Sequence, residues 1–114
     1  DGGALMTGSE LATAVAQKAK IRVIVANNQH YGTIRYHQEL HFPTRDHYAT
    51  NLVNPNFAKY GESFGLECFT IDKVEEVIPI LKKAMNVDGP SLIEFKMSLE
   101  LNTSTTTISE LQMK

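Results

Sequence analysis

An almost unbroken run of apolar, mostly β-branched side chains constrains the fold of this chain more than any other feature. The run extends from Ile21 to Ala26 (IRVIVA) and is followed at once by two amides, Asn27 and Asn28. A half-exposed strand alternates apolar and polar residues, whereas a continuous apolar strand is typical of a parallel sheet covered on both faces. Because parallel strands must be joined by long crossovers, usually helices, this run predicts an α/β architecture.

The rest of the chain alternates helix-like and strand-like segments in the order that this architecture needs. Apolar spacing and capping residues predict a helix with Ser9 as its N-cap, a helix that begins with Pro55, and a helix capped by Asp72. A long loop with a helical turn between Tyr31 and Glu39 is expected after the first strand. The predicted helices are 9–19, 55–64 and 74–85, and the predicted strands are 21–26, 66–71 and 91–95. This order predicts a parallel sheet with flanking helices.

Residues 1–97 are interpreted as one folded unit. Residues 98–114 are interpreted as a Ser/Thr-rich C-terminal tail, extended or with a short helix around Ser109–Met113. The chain begins with Asp1-Gly2-Gly3 rather than Met, and a glycine-rich turn of this kind ordinarily follows a strand. We therefore expect residues 1–97 to be the C-terminal part of a longer domain, whose upstream part this sequence lacks.

Composition disfavours several classes of partner. The 11 basic and 13 acidic residues give a formal charge of −2, and no stretch concentrates Lys or Arg as a nucleic-acid or anionic membrane surface would need. No apolar run approaches the roughly 20 residues that span a bilayer, and no secretion signal is visible. The single cysteine, Cys68, can form no internal disulfide. We expect a cytoplasmic protein that binds neither nucleic acid nor membranes.

Two polar segments are predicted to meet at one edge of the sheet. If a strand precedes Asp1, then Asp1 and the Asn27-Asn28 pair both follow parallel strands, at the carboxyl edge where open α/β sheets bind ligands. A carboxylate and an amide carbonyl suit Mg²⁺ or Ca²⁺ better than zinc, and phosphate oxygens could complete the coordination. Gly2 and Gly3 would let a phosphate approach the backbone closely. By residue type alone, these residues could also be only a turn and a strand-to-loop cap.

The order of these segments resembles the motif of thiamin diphosphate-dependent enzymes. In that superfamily a Gly-Asp-Gly is followed at long spacing by Asn-Asn, and this chain has Asp1-Gly2-Gly3 and Asn27-Asn28. Three further segments are similar to acetolactate-synthase-like members, namely NNQHYGTIRYHQ (27–38), LVNPNF (52–57) and DGPSLIE (88–94). The resemblance runs through nearly the whole chain. It implies the C-terminal half of the superfamily's diphosphate-binding fold, although the first Gly of the motif is missing.

The resemblance implies a metal and cofactor site. Asp1, the side-chain carbonyl of Asn28 and the backbone carbonyl of His30 would ligate Mg²⁺, and the cofactor's diphosphate would complete the coordination. The two glycines would lie along the diphosphate, and the backbone of residues 31–33 would close over it. The residues expected to bind the cofactor are Asp1, Gly2, Gly3, Asn28, His30, Tyr31, Gly32 and Thr33.

The resemblance also implies an activity for a full-length enzyme. Thiamin diphosphate carries the chemistry of decarboxylation and carboligation of 2-keto acids, and the enzyme would act as a homodimer or homotetramer. The carboxylate that activates the cofactor in the superfamily has no match here, so no catalytic residue is assigned and the isolated chain is expected to be inactive. Ile34 stands where pyruvate-decarboxylase-type members have an acidic residue, which favours an acetolactate-synthase-like enzyme.

Two other interpretations stay open. The chain could be a folded but inert module that binds no cofactor by itself because half of the site is absent. It could also be an unrelated α/β domain that binds anions or regulates a partner. Binding of thiamin diphosphate with Mg²⁺ to the chain would separate both from the first interpretation.

Overall fold

A three-stranded parallel sheet forms the centre of the computed structural model, which describes residues 1–101 and 105–113. The strands are β1 (Arg22–Asn27), β2 (Glu67–Ile71) and β3 (Ser91–Lys96), in the spatial order β1-β3-β2. The last of these strands in sequence is the middle one in space, with Ile93 aligned to Ile24 on one side and to Phe69 on the other. Both connections contain helices, so the predicted parallel α/β sheet is confirmed.

Helices flank the sheet on both sides. The helices of the described residues are α1 (Gly2–Thr7), α2 (Leu11–Ala16), α3 (Gly32–His41), α4 (Phe57–Ser63), α5 (Val77–Met85) and α6 (Ile108–Gln112). A 3₁₀ turn at Gly8–Glu10 joins α1 to α2, and another at Val74–Glu76 precedes α5. None of these helices has the length and apolar character needed to cross a membrane.

The central strand separates two apolar clusters, because successive residues of a strand point to opposite faces. Leu92 and Ile93 are both 1 % exposed and belong to different clusters. The cluster around Leu92 contains Leu11, Val25, Phe57 and Leu66, and the cluster around Ile93 contains Ile71 and Ala84. Both faces of β3 are therefore covered, which accounts for its apolar sequence.

The first helix begins earlier than the sequence predicted. Helix α1 starts at Gly2, and Asp1 caps it by accepting a hydrogen bond from the Gly2 N–H. The predicted N-cap, Ser9, lies within the 3₁₀ turn between α1 and α2. The predicted helix 9–19 was also wrong at its end, because α2 stops at Ala16 and Lys18 turns the chain with a left-handed φ of 49°. Two glycines in sequence indicate a turn, so local pattern alone does not reveal that they open a helix.

The segment after β1 is more helical than predicted. The ten-residue helix α3 stands where a loop with one helical turn was expected. Arg35 and Glu39 pair on adjacent turns, with Nε 3.4 Å from Oε1, and the Glu39 side chain is only 2 % exposed. Helix α6 packs against α3 and buries Ile108 and Leu111. Tertiary packing therefore completes a helix whose own sequence is largely polar.

The predicted C-terminal tail, residues 98–114, contains α6. This helix lies close to the short helix expected around Ser109–Met113, and Thr107 caps it by accepting a hydrogen bond from the Glu110 N–H. Residues 102–104 and 114 of the tail lie outside the described residues. The division into a unit 1–97 and a tail stays a prediction.

The predicted cap of the helix that ends at Met85 was wrong. Lys73, not Asp72, is the N-cap residue of the 3₁₀ turn that leads into α5. The Glu76 carboxylate reaches back and accepts hydrogen bonds from the Asp72 and Lys73 N–H groups at 3.0 and 3.1 Å. These bonds hold the Glu76 carboxylate in its charged form and lower its pKa.

Candidate functional site at the carboxyl ends of the strands

Asp1 lies against the carboxyl end of β1. Its backbone nitrogen donates a hydrogen bond to the Ala26 carbonyl at 2.9 Å. Its side chain accepts one from the Gln29 N–H at 2.8 Å. The two polar segments that the sequence predicts to meet, Asp1-Gly2-Gly3 and Asn27-Asn28, are therefore adjacent in the fold.

Three N–H donors hold the Asp1 carboxylate in place. Oδ1 accepts one hydrogen bond, from Gly2 N–H at 2.9 Å. Oδ2 accepts two of 2.8 Å each, from the Gln29 N–H and from Nδ2 of Asn54. Since a carboxylate oxygen has about two acceptor sites, Oδ2 is saturated by these bonds. Oδ1 is the oxygen of Asp1 with capacity left for a cation.

The two adjacent asparagines have different environments. Asn27 is buried, and its Nδ2 donates to Oε1 of Glu94 at 2.7 Å. Asn28 is half-buried, and its Oδ1 accepts a long hydrogen bond of 3.3 Å from the His30 N–H. The Asn27 side chain is therefore hydrogen-bonded within the protein interior, whereas the side-chain oxygen of Asn28 is hydrogen-bonded to the loop that leaves β1.

An isolated bridge fixes the backbone of this loop. His30 faces Asn51 in an antiparallel bridge, in which the Tyr31 N–H donates to Thr50 and the Leu52 N–H donates to Gln29, both at 2.8 Å. In a pair bonded this way, the N–H and C=O of the central residue point away from the opposite segment. The His30 carbonyl is therefore directed away from Asn51, on the same side as its N–H bond to Asn28.

The imidazole of His30 belongs to a different set of contacts. Nη1 of Arg35 lies 2.9 Å from Nε2 of His30. Burial and the neighbouring Arg35 charge lower the pKa of His30 below its usual value. A guanidinium can only donate, so the ring nitrogen of His30 that faces Arg35 is the acceptor, and only the backbone of His30 is directed to the loop around Asn28.

A cleft of about 290 Å³ opens beside Asp1. Helix α1 begins on one side of it, and the loop into α3 lies on the other. A Cβ on Gly2 would come within 2.6 Å of the Tyr31 ring, whereas a Cβ on Gly3 would meet no atom within 4 Å. The cleft is lined by Asp1, Gly2, Gly3, His30, Tyr31, Gly32, Thr33 and Ile34. It therefore gathers every residue predicted to bind the cofactor except Asn28, which lies in the adjoining loop.

The donor atoms around Asp1 suit a hard cation. They are a carboxylate oxygen, an amide oxygen and a backbone carbonyl, and hard cations such as Mg²⁺ are bound by oxygen. Within residues 1–101 and 105–113, no group of three or more His, Cys, Asp or Glu side chains could hold a metal ion. A site built from protein oxygens plus oxygens of a ligand fits these residues better than an all-protein cage does.

Two residues of this region escaped prediction as site residues. Asn54 donates to both Asp1 and Asn27, and Glu94 anchors Asn27 from the central strand. The sequence carries one signal for each of them. Glu94 is the only charged residue in the apolar run SLIEF, and Asn54 stands directly before Pro55 without serving as the cap of α4, which is Asn56.

Comparison with known proteins agrees with the resemblance noted from the motifs. Residues 1–95 match the family described as "Thiamine pyrophosphate enzyme, C-terminal TPP binding domain". A Bacillus subtilis protein described as thiamine pyrophosphate-containing, YdaP, is 33% identical over 100 residues, which cover 88% of this chain and 17% of that protein.

Acetolactate synthases are also among the relatives. The Bacillus subtilis acetolactate synthase is 33% identical over 94 residues, covering 82% of this chain and 16% of the enzyme. The mitochondrial acetolactate synthase of Schizosaccharomyces pombe is 30% identical over 89 residues, covering 78% and 13%. The chain thus spans 13% to 17% of the length of these three relatives. Since the family match extends over residues 1–95, the chain belongs to the family of C-terminal TPP binding domains of thiamine pyrophosphate enzymes.

Proposed function

We propose that the cleft beside Asp1 binds the diphosphate of thiamin diphosphate (thiamine pyrophosphate) together with Mg²⁺. The observation that carries the proposal is the convergence of the start of α1 and the His30–Ile34 segment on one cleft next to an incompletely occupied carboxylate oxygen. Membership of the TPP binding family supports the cofactor. The oxygen donors support Mg²⁺.

The residues have separate roles in this proposal. Oδ1 of Asp1, Oδ1 of Asn28 and the His30 carbonyl are the protein ligands of Mg²⁺. Gly2 and Gly3 allow the phosphates to approach the backbone, and the segment 31–33 covers them from the opposite wall. The chain thereby holds and orients the charged end of the cofactor.

The wider activity follows from the relatives. We propose that the chain is part of an acetolactate-synthase-like enzyme that decarboxylates and ligates 2-keto acids, because several relatives are named acetolactate synthases. The bound cofactor supplies that chemistry. No residue of this chain is assigned a catalytic role, so the isolated chain is expected to be inactive. A cytoplasmic homodimer or homotetramer stays the prediction for the full-length enzyme.

Isothermal titration calorimetry of the chain with thiamin diphosphate and Mg²⁺ tests the site. We expect Mg²⁺-dependent binding, weakened at least about tenfold by Asp1→Asn, because that change removes the only charged side chain among the proposed protein ligands of the cation while it keeps an oxygen that can cap α1. Asp46→Asn is the matched control, since it removes the same charge from an exposed position in a separate part of the surface.

The two possible failures have different meanings. Binding that is equal in the native chain and in Asp1→Asn would contradict the metal site. No heat with the native chain at millimolar ligand would contradict autonomous binding and favour the inert module. In that case the same pair of variants in a full-length enzyme would decide the metal assignment.

A further inference from the structure

A continuous line of hydrogen-bonded side chains connects the central strand to Asp1. Glu94 accepts from Nδ2 of Asn27 at 2.7 Å, Oδ1 of Asn27 accepts from Nδ2 of Asn54 at 2.8 Å, and the same Nδ2 donates to Oδ2 of Asp1 at 2.8 Å. We call these four residues the Glu94–Asp1 relay. Glu94 is 2% exposed, so the relay begins in the core.

The chemistry of its ends sets the direction of every bond in the relay. Oδ2 of Asp1 accepts a hydrogen bond from Asn54, so Asn54 turns its NH₂ group to it, and Asn27 must face that group with its oxygen and face Glu94 with its own NH₂ group. Asn54 must then present its NH₂ group to Asn27, and the second proton of that group points to Asp1. The oxygen of Asn54 is buried and has no hydrogen-bond partner among the described residues. Turning the Asn54 amide over would break two bonds and form none with these partners.

We propose that Asn54 is a positioning residue for Asp1, and that Glu94 fixes the orientation of Asn54 through Asn27. Asn54 and the Gln29 N–H together saturate Oδ2, so the free acceptor site of the carboxylate is on Oδ1. This inference rests on the proposed function and deepens it: Asn54 determines which carboxylate oxygen of Asp1 is available to ligate the cation. Neither Asn54 nor Glu94 contacts the cation in this proposal.

Amide hydrogen exchange of the apo chain, followed by NMR, tests the positioning without any cofactor. In Asn54→Asp a second carboxylate replaces the donor beside Asp1, so Asp1 should move and the Gln29 N–H should lose its acceptor. We expect the Gln29 amide to exchange at least about tenfold faster, while the Phe69 amide in β2 keeps its native rate as a reporter of global unfolding.

Asn56→Asp is the matched control. It adds the same charge two residues away, and Asp can serve as the N-cap of α4 in place of Asn56. Gln29 exchange at the native rate in Asn54→Asp, or equal acceleration in both variants, would overturn the proposal.

A second pair of variants keeps the test decisive if Asn54→Asp does not fold. Glu94→Gln retains an acceptor for Asn27 and should keep Gln29 exchange within about threefold of native, whereas Glu94→Leu removes the acceptor and should accelerate it about tenfold. Indistinguishable Gln29 rates in these two variants would overturn the relay.

Calorimetry with thiamin diphosphate and Mg²⁺ then separates the inference from the proposed function. We expect Asn54→Asp to weaken binding at least about tenfold and Asn56→Asp to leave it within about threefold. If the native chain binds no cofactor, the proposed function fails for the isolated chain, and the exchange rates still decide whether Asn54 positions Asp1.

Discussion

Cys68 is held in a tight space between α4 and the central strand. Its Sγ lies only 2.6 Å from the point where a Cβ on Gly61 would be, and the Leu92 side chain lies 3.2 Å from that point. Burial of the thiol and the nearby Glu62 carboxylate raise the pKa of Cys68 from 9.0 to about 11. A structural role in packing, with low reactivity, is therefore expected for the one cysteine of the chain.

This pKa leads to a prediction about alkylation. At pH 8 the native thiol should react with iodoacetamide about a hundredfold more slowly than the unfolded chain, because the two-unit difference in pKa lowers the thiolate fraction by that factor. The pKa of Cys68 is higher in the folded chain than in the unfolded chain. The contribution of its neutral thiol to the free energy of unfolding is therefore complete below pH 9 and is lost as the pH rises towards 11. Rates measured by mass spectrometry in buffer and in concentrated urea check this, and equal rates at pH 8 would contradict it.

At the residue scale, sequence reasoning found the residues of the cleft but not those that orient them. Asp1 and Asn28 were identified because polar residues that follow two strands must meet at one sheet edge. Asn54 and Glu94 were missed, because Asn54 is on a loop between α3 and α4 and Glu94 is on a strand whose neighbours were unknown. A hydrogen bond between residues 67 positions apart, as between Asn27 and Glu94, has no local pattern in the sequence.

At the element scale, the main surprise is the pair formed by α3 and α6. Glu39 of α3 accepts hydrogen bonds from Arg35 at 3.4 Å and from Nε2 of Gln112 at 3.2 Å. Leu111 of α6, the helix that packs against α3, is only 2% exposed. The sequence of α3 predicted a loop with only one helical turn, because the apolar side of this contact is supplied by a helix far along the chain, with Gln112 73 positions after Glu39. Elements with their own apolar face, such as α5, were predicted closely.

Truncation of Leu111 should release α6. A helix of five residues is not stable alone, and a buried Leu→Ala change costs about 2–5 kcal/mol, so Leu111→Ala should detach α6 and leave the sheet folded. Limited proteolysis should remove the C-terminal segment faster from Leu111→Ala than from Met113→Ala, whose side chain is 80% exposed in the native chain. Circular dichroism checks that the rest of the fold is kept. Equal cleavage of the two variants would show that Leu111 does not hold α6.

At the scale of the whole molecule, the two faces of the sheet are unequally covered. On one face of the sheet, helix α5 packs over β2 and β3. Strand β1 lies at an edge of the sheet, because among the described strands it pairs only with β3. Ile24 of β1 points to the face opposite Val25 and is 59% exposed. A strand edge with an exposed apolar side chain is prone to pair with another chain. The strand order β1-β3-β2 that leaves this edge open could not be read from the sequence, since helical crossovers permit other orders.

The open edge predicts concentration-dependent self-association. We expect the native chain to associate in sedimentation velocity experiments as its concentration rises, and we expect Ile24→Lys to stay monomeric, because a charged side chain at an edge opposes pairing. Val53→Lys adds the same charge at a fully exposed position outside the strands and should behave like the native chain. The prediction fails if the native chain is monomeric throughout, or if both variants suppress association equally.

The position of β3 determines the order in which the parts of this molecule can be completed. In the described sheet, β1 and β2 pair only with β3, yet the ribosome delivers β3 after both of them. A nascent chain that ends before Ser91 would hold β1 and β2 without the strand that both pair with in the described sheet, and the strand edges that β3 covers would be open to chaperones or to other chains. The same strand carries Glu94, so the relay to Asp1 also waits for it. Asp1 is therefore synthesised more than 90 residues before Glu94, the residue that completes the line of hydrogen bonds to it.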